Sequence, residues 1–498
     1  MQKSTLEETL KQIAQSMNGE YNYLGFFATQ VTNNRAASIL EFVAKNEIRF
    51  IDFRFTSITG KFLHITRHSD SITADALTHG ISLDSSLIQG WHDVDRSDVV
   101  LVPDLESCSS FLDPFAAQPT LCVVCDIVEP HGRGSYEHSP RATTKKAMEF
   151  LRSIGIADKA FFGLEMEFFV LDDARFAVKE NGAFFELDSS EGIYNSGRRY
   201  EYNNHAHREG SRNCYLASQP SDSLNDIRAE ILETLREVKI KPLLHHHGAA
   251  SSQCRICFHH GEALETSDNM QKCKYITRNV ASSYGKSATF MPKPFKDYNG
   301  NGMRLHVSLW KDEQNLFVPQ DPREEISQLC KYYIGGIIKH RKALNAILNP
   351  LANSYKRLAD IHNASYGLGY SPENRLAVVR IPHCRKGNPS GKRIEIRFPD
   401  AGTNPYIGTA ALIMAGIAGI REKVLPEAAV ELEKSSKVSL CRSLEEALLA
   451  LDTDRQFLTE GDVFTNDQLD TYIKLLSDDS EEVSKHPVPI EFIKYYNV

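Results

Sequence analysis

The segment Phe161-Phe162-Gly163-Leu164-Glu165-Met166-Glu167-Phe168-Phe169 sets two carboxylates into an otherwise apolar run. Its β-rich composition predicts a strand, and on a strand alternate side chains share a face, so Glu165 and Glu167 point the same way, about 7 Å apart. Two acids so placed repel each other, and burying them is costly unless a cation lies between them. The plain alternative is an exposed strand face with two solvated acids, because Asp and Glu are seldom fully buried. The strand therefore either opens to water or carries a cationic centre.

Composition narrows the setting. At 498 residues, 41% hydrophobic and 24% charged, the chain is long enough for two or three domains around a large core. No run of 18 apolar residues occurs and residues 1–34 lack the apolar centre of a signal peptide, so a cytoplasmic, non-membrane protein is expected. A net charge of −8 is modest for this length and argues against nucleic acid as a partner. Ten scattered cysteines fit reduced thiols.

Residues 1–35 read as a polar extension, helical over Leu6–Ile13. A first domain, 36–138, carries a helix at Ala37–Asn46 and strands at Ile48–Phe55, Phe62–Thr66, Val99–Val102 and Leu121–Ile127, closed by a linker at Pro130–Gly134. A second, 139–498, opens with a helix that has Pro140 at its start and continues over Thr143–Ile154. Further helices are expected at Asp222–Val238, Leu329–Ala346, Ile407–Glu422, Leu444–Leu451 and Asn466–Ser477.

From about residue 36 to Val498 the chain resembles bacterial type I glutamine synthetases. The resemblance rests on ordered pieces: Ile51-Asp52-Phe53-Arg54-Phe55-Thr56, Asp84-Ser85-Ser86 with Gly90-Trp91, the Glu165/Glu167 strand, and His245-His246-His247. It continues through Ala288–Pro294, Asn299-Gly300-Asn301-Gly302-Met303, Asn353–Arg357, Arg393–Asp400 and His486–Pro489. It implies an α+β protein with an N-terminal β-grasp domain and a C-terminal catalytic-type domain of curved antiparallel sheet and helices. It also implies a homo-oligomer, a double-hexamer dodecamer with sites between subunits. The family's reaction is ATP-dependent. The γ-carboxylate of glutamate attacks the γ-phosphate, ammonia displaces phosphate, and divalent ions held by acids neutralise the phosphates.

Compared position by position, the metal ligands Glu165, Glu167 and Glu395 are present. Gly248, Arg255 (or Ile256, if a one-residue gap is placed differently) and Arg304 stand where the family has two glutamates and a histidine, and Asn363 replaces the glutamate that shields the ammonium site and takes its proton. Glycine offers no ligand atom, arginine has only donors, and asparagine is no general base. Arg255 and Arg304 are expected to act as internal counter-ions to the surviving acids. By the same resemblance Asp84 matches the ammonium-site aspartate. Asn299, Gly300, Arg357 and Arg397 match glutamate-binding positions, Arg375 belongs with the catalytic arginines, and Ser308, Arg380 and Arg393 lie on the nucleotide side. Structural ion pairing is the alternative role for these basic residues.

Three functions follow as expectations. The first is a catalytically impaired pseudoenzyme of nitrogen metabolism that keeps assembly and glutamate or nucleotide binding, with no tightly held cofactor. The second is an active glutamate–ammonia or glutamate–amine ligase using ATP and Mg²⁺ or Mn²⁺, with Glu262 or Glu265 as substitute ligands. The third is a filament-forming or regulatory protein that co-assembles with a genuine glutamine synthetase. Separately, Cys254, Cys257, His259 and His260 have a zinc-like spacing. A strand there would turn the two cysteines to opposite sides.

Overall fold

The computed structural model describes residues 35–91, 97–105, 109–130, 134–359, 368–375, 377–385, 388–426 and 439–495. The expected N-terminal helix at Leu6–Ile13 and Asn363 lie outside these residues. The chain divides into two compact units, one ending at Ala142 and the other beginning at Thr143.

The first unit is built on a mixed sheet in the order β2–β1–β6–β4–β3. Its strands are β1 (Phe50–Thr56), β2 (Phe62–His68), β3 (Ile81–Asp84), β4 (Asp98–Pro103), β5 (Phe111–Leu112, beside β6) and β6 (Thr120–Val128). Ile51, Phe53 and Phe55 alternate into a core shared with Val99, Leu101, Leu121, Val123, Cys125 and Ile127, the period-two burial of strands. The helix Arg35–Lys45 covers this core with Ala36, Ile39, Phe42 and Val43, spaced for one helical face. Asp52 and Arg54 share the other parity of β1. Asp52 accepts from Arg54 Nε at 2.7 Å, His64 Nδ1 at 2.7 Å and Thr66 Oγ1 at 2.6 Å, so this motif is a buried structural network.

The second unit centres on β7 (Lys159–Leu171). Beside it lie the hairpin β8 (Asp173–Lys179) and β9 (Gly182–Asp188), then β10 (Pro242–His247), β11 (Gln253–Glu262), β12 (Ser287–Thr289) and β13 (Met303–Lys311). The short β14 (Gln314–Asn315) follows, with β15 (Leu368–Ser371), β16 (Ala377–Arg380) and β17 (Ile394–Ile396). The main sheet runs β10–β11–β7–β13–β17–β16–β15, antiparallel except for β15 with β16. On one face Leu164, Met166, Ile256, Leu305, Val307, Ile394 and Ile396 are all buried. Helix Ala263–Ser283 packs there, with Thr266 donating to the Phe162 carbonyl at 3.1 Å, and helix Pro405–Glu422 packs against Ala263–Ser283. The opposite parity carries the polar residues.

Two helical expectations need correction. Leu329–Ala346 is two helices, Gln328–Lys339 and Arg341–Leu348, because His340 leaves helical geometry at φ −92°, ψ 11°. Its ring stacks on Phe457 at 4.0 Å and Nδ1 meets Asp454 at 2.8 Å, so tertiary contacts hold the bend. The helix expected from Asp222 starts at Asn225; Asp222 instead forms a buried ion pair with Arg228. The helix Ala263–Ser283 escapes sequence reading because polar Thr266, Ser267, Asp268, Gln271 and Lys272 occupy buried positions.

Candidate functional site

Strand register assembles the site. Arg255 on β11 is directly opposite Glu167, and Arg304 on β13 is directly opposite Glu165. His306 lies two residues beyond Arg304 and opposite Glu395 on β17; Glu395 in turn lies opposite Arg380 on β16. Alternation puts all of these on the sheet face that is not covered by the apolar core.

The contacts follow from that placement. Arg255 Nη2 donates to Glu167 Oε1, while the Gly302 amide donates to Glu167 Oε2 at 2.7 Å. Glu165 accepts from Arg304 Nη1 at 3.0 Å, meets His306 Nε2 at 3.1 Å, and has Arg255 Nη1 at 3.7 Å. Glu395, only 2% exposed, takes Arg397 on Oε1 and Arg380 on Oε2 at 3.0 Å, with Arg304 Nε 3.7 Å away. Arg393 Nε donates to His306 Nδ1 at 3.2 Å. That bond leaves the imidazole proton on Nε2, where it serves Glu165.

Burial by itself would raise the three acids. For Glu165 the His306 hydrogen bond and the Arg304 charge outweigh it, for Glu167 the charges of Arg255 and Arg304, and for Glu395 those of Arg397 and Arg304. All three carboxyls are held below the usual range, so all stay ionised. Burial lowers Arg255, but Glu167 and Glu165 raise it more strongly. His260 stacks on His306 at 5.7 Å and is pulled down to about 4 by burial, then by the nearby His306 and Arg393. It crosses Gly163 so closely that a Cβ there would lie 2.0 Å from its ring.

Other expected site residues are more dispersed. Arg357 Nη2 donates to the Phe398 and Pro399 carbonyls and lies 3.6 Å from Asp400, so it clamps backbone rather than pointing freely into a cleft. Gly300 is needed for close approach: a Cβ there would meet the Pro292 carbonyl at 2.5 Å and the Arg357 side chain at 2.7 Å. Asn299 is half-buried next to it. Ser308 accepts from Trp310 Nε1 at 3.0 Å. Arg375 is exposed, and its carbonyl accepts from Arg397 Nε at 3.0 Å. Asp84, exposed at the end of β3 in the first unit, accepts from the Ser86 amide at 2.9 Å, a bond that lowers its carboxyl.

Sequence reading missed three residues. Gln253 fixes the Gly248 turn: its Oε1 accepts from the Ala249 and Ala250 amides, and its Nε2 donates to Gly300 and Asn301. Tyr215 lies under the Arg255 guanidinium at 6.0 Å and against His246. His306 had a signal in the sequence, since it shares strand parity with Arg304. The zinc-like spacing dissolves on β11. Cys254 faces Arg228, with Nη1 at 3.7 Å, while Cys257 has the parity of Arg255 and burial pushes its thiol up to about 12. Glu262 lies opposite Phe161, six residues along β7 from Glu167, or about 20 Å.

Mg²⁺ and Mn²⁺ ask for a shell of oxygen ligands. Here each carboxylate is engaged by guanidinium, Gly248 supplies no donor, and Arg304 occupies the position opposite Glu165. This donor set does not fit a divalent cation.

A large, mainly antiparallel sheet bearing an acid–arginine cluster on one face, in a chain whose other unit is a smaller mixed sheet, defines the class: a two-domain α+β fold. Residues 137–495 match the glutamine synthetase catalytic domain and residues 47–130 its β-grasp domain. The chain belongs to the glutamine synthetase family. It is 43% identical over 469 residues to glutamine synthetase from Azospirillum brasilense, covering 93% of this chain and 99% of the relative. It is 41% identical over 471 residues, with the same coverage, to 3-hydroxylaminophenol mutase from Cupriavidus pinatubonensis. Among solved structures, Plasmodium falciparum glutamine synthetase superposes with a TM-score of 0.87 at 29% identity, covering 94% of this chain and 99% of that one.

Proposed function

We propose that this protein is a glutamine synthetase homologue impaired in amide synthesis, which keeps the family's assembly and an anion-binding site. The observation that carries this reading is the pairing of Arg255 with Glu167 and of Arg304 with Glu165. Phosphoryl transfer needs cations that bridge and neutralise phosphate oxygens. Arginines already committed to these acids neutralise the protein's own charge instead. Glu262, far along the strand, is a poor substitute ligand, and Glu265 lies one helical turn further on, which weighs against the rearranged-ligase alternative. The mutase among the relatives indicates that this fold is not tied to one reaction.

The protein acts as a homo-oligomer, a double-hexamer dodecamer or a co-assembly with an active synthetase. Exposed Phe176, Val178, Phe184 and Phe185 on the β8–β9 hairpin, and Ile490, Phe492 and Ile493 near the C-terminus, support a covered surface. It resides in the cytoplasm. Among the described residues nine free thiols, eight of them buried, fit a reducing compartment. Cofactors are not held tightly; Mg²⁺ or Mn²⁺ with ATP would matter only to residual activity. The test is phosphate release with ATP, glutamate, ammonia and Mg²⁺. Background rates are expected, and turnover on the order of 1 per second or faster would overturn the reading.

A further inference from the structure

Two helices that supply nothing to the acid–arginine cluster, Leu444–Thr453 and Asn466–Lys485, pack against each other. Leu448, Leu449 and Asp452 fall on one face of the first, and Ile473, Ser477 and Glu481 on one face of the second, the spacing of helical stripes. Between the stripes runs a groove of about 400 Å³. Inside it Ser480 Oγ donates to Glu445 Oε1 at 2.5 Å and ties the helices together. Leu448 is buried in the wall, whereas Leu449 is 65% exposed and shares the groove with half-buried Ile473 of the other helix. An apolar groove between two helices, open to water, has the shape that takes one face of a further helix.

The rim sets the charge of what fits. The two helices hold nine acids and two lysines, a net −7 in a chain whose total is −8. Lys342, Arg455 and Lys485 pair with Glu446, Asp452, Asp470 and Glu481. Glu445, Asp478, Asp479 and Glu482 make no ion pair among the described residues. Asp478 and Glu482, a turn apart and exposed, continue round the helix from Glu481 towards solvent. The chain does not supply the complement itself. Residues 1–34 carry two lysines against three glutamates, and residues 427–438 the same, so neither stretch brings a surplus of cations. A second copy presenting this same face would set acids against acids.

We propose that this groove docks a cationic amphipathic α-helix of a partner protein, its apolar side chains on Leu449 and Ile473 and its Lys or Arg residues over Glu445, Asp478 and Glu482. The surface does not depend on whether the protein makes amides.

Fluorescence anisotropy of a labelled peptide tests this on the full chain. The probe has about 18 residues, five turns of helix, with leucines at i, i+3, i+4 and i+7 and lysines elsewhere. Its controls are the same residues in scrambled order and the same pattern with glutamate for lysine. The patterned lysine peptide should bind saturably and weaken as salt rises, and both controls should bind at least about tenfold more weakly. Leu449→Arg removes an apolar anchor and adds a like charge, and should weaken the patterned peptide at least about tenfold. Asp478→Asn/Glu482→Gln should weaken it about three- to tenfold. Asp70→Asn/Asp75→Asn, an equal charge change on exposed residues of the first unit, should leave it unchanged. Circular dichroism checks that each variant folds, and the comparison of three peptides on the wild type needs no variant. No binding by the wild type, equal binding of the scrambled peptide, or equal losses in the two double variants would overturn the proposal. So would a change of oligomeric state in Leu449→Arg by native mass spectrometry, which would make the groove a contact between copies of this chain.

Discussion

Arg255 and Glu167 face each other across two strands, both largely buried. Removing one partner leaves the other charge without compensation, so Arg255→Ala should cost about 3–5 kcal/mol in chemical denaturation. The double variant Glu167→Gln/Arg255→Met should lose less than Arg255→Ala, because no lone charge is left behind. A double variant as unstable as the single would mean that the pair is not what holds these strands. Gly248 makes reversion harder than the sequence implies. A Cβ there would lie 2.6 Å from the Gln253 side chain, which also ties down Ala249, Ala250, Gly300 and Asn301. Gly248→Glu alone should therefore lower stability and bind no Mn²⁺. With Arg255→Glu, Arg304→His and Asn363→Glu added, Mn²⁺ affinity should appear in a calorimetric titration.

Strands turn these pairs into a pH response. Glu165, Glu167 and Glu395 have folded pKa values below their ordinary 4.5, so between those values the unfolded chain binds more protons than the folded one. Their contribution is complete above about pH 4.5 and drains away as the pH falls. His247 works in the opposite sense. Burial lowers it, but its bond to Glu191 at 2.9 Å outweighs burial and lifts it above 6.5, so its contribution is present below that value and is lost as pH rises. Urea midpoints should fall between pH 5 and pH 3, and Arg304→Gln should flatten that acid limb; an unchanged midpoint would contradict the cluster. At this same scale the sequence was informative about β7, because Glu165 and Glu167 in an apolar run define parity without help from the rest of the chain. Partners on β11 and β13 were legible only through family resemblance, since register across distant strands leaves no local mark. The break at His340 left none either, because Phe457 and Asp454 hold it from far along the chain.

For the whole molecule, a monomer would leave Phe176, Phe184, Phe185, Phe492 and Ile493 in water. Native mass spectrometry should therefore find a high-order assembly. Phe176→Asp with Phe185→Asp should shift it to smaller species, with the circular dichroism of the subunit kept. A wild-type monomer at micromolar concentration would contradict the assembly. What neutralises the acids on β7 and β17 is read directly by anomalous diffraction from crystals grown in excess Mn²⁺. The expected map shows guanidinium density from Arg255 on Glu167 and from Arg304 on Glu165, with no manganese peak between the carboxylates. A manganese ion coordinated by Glu167, with Arg255 swung away, would contradict it.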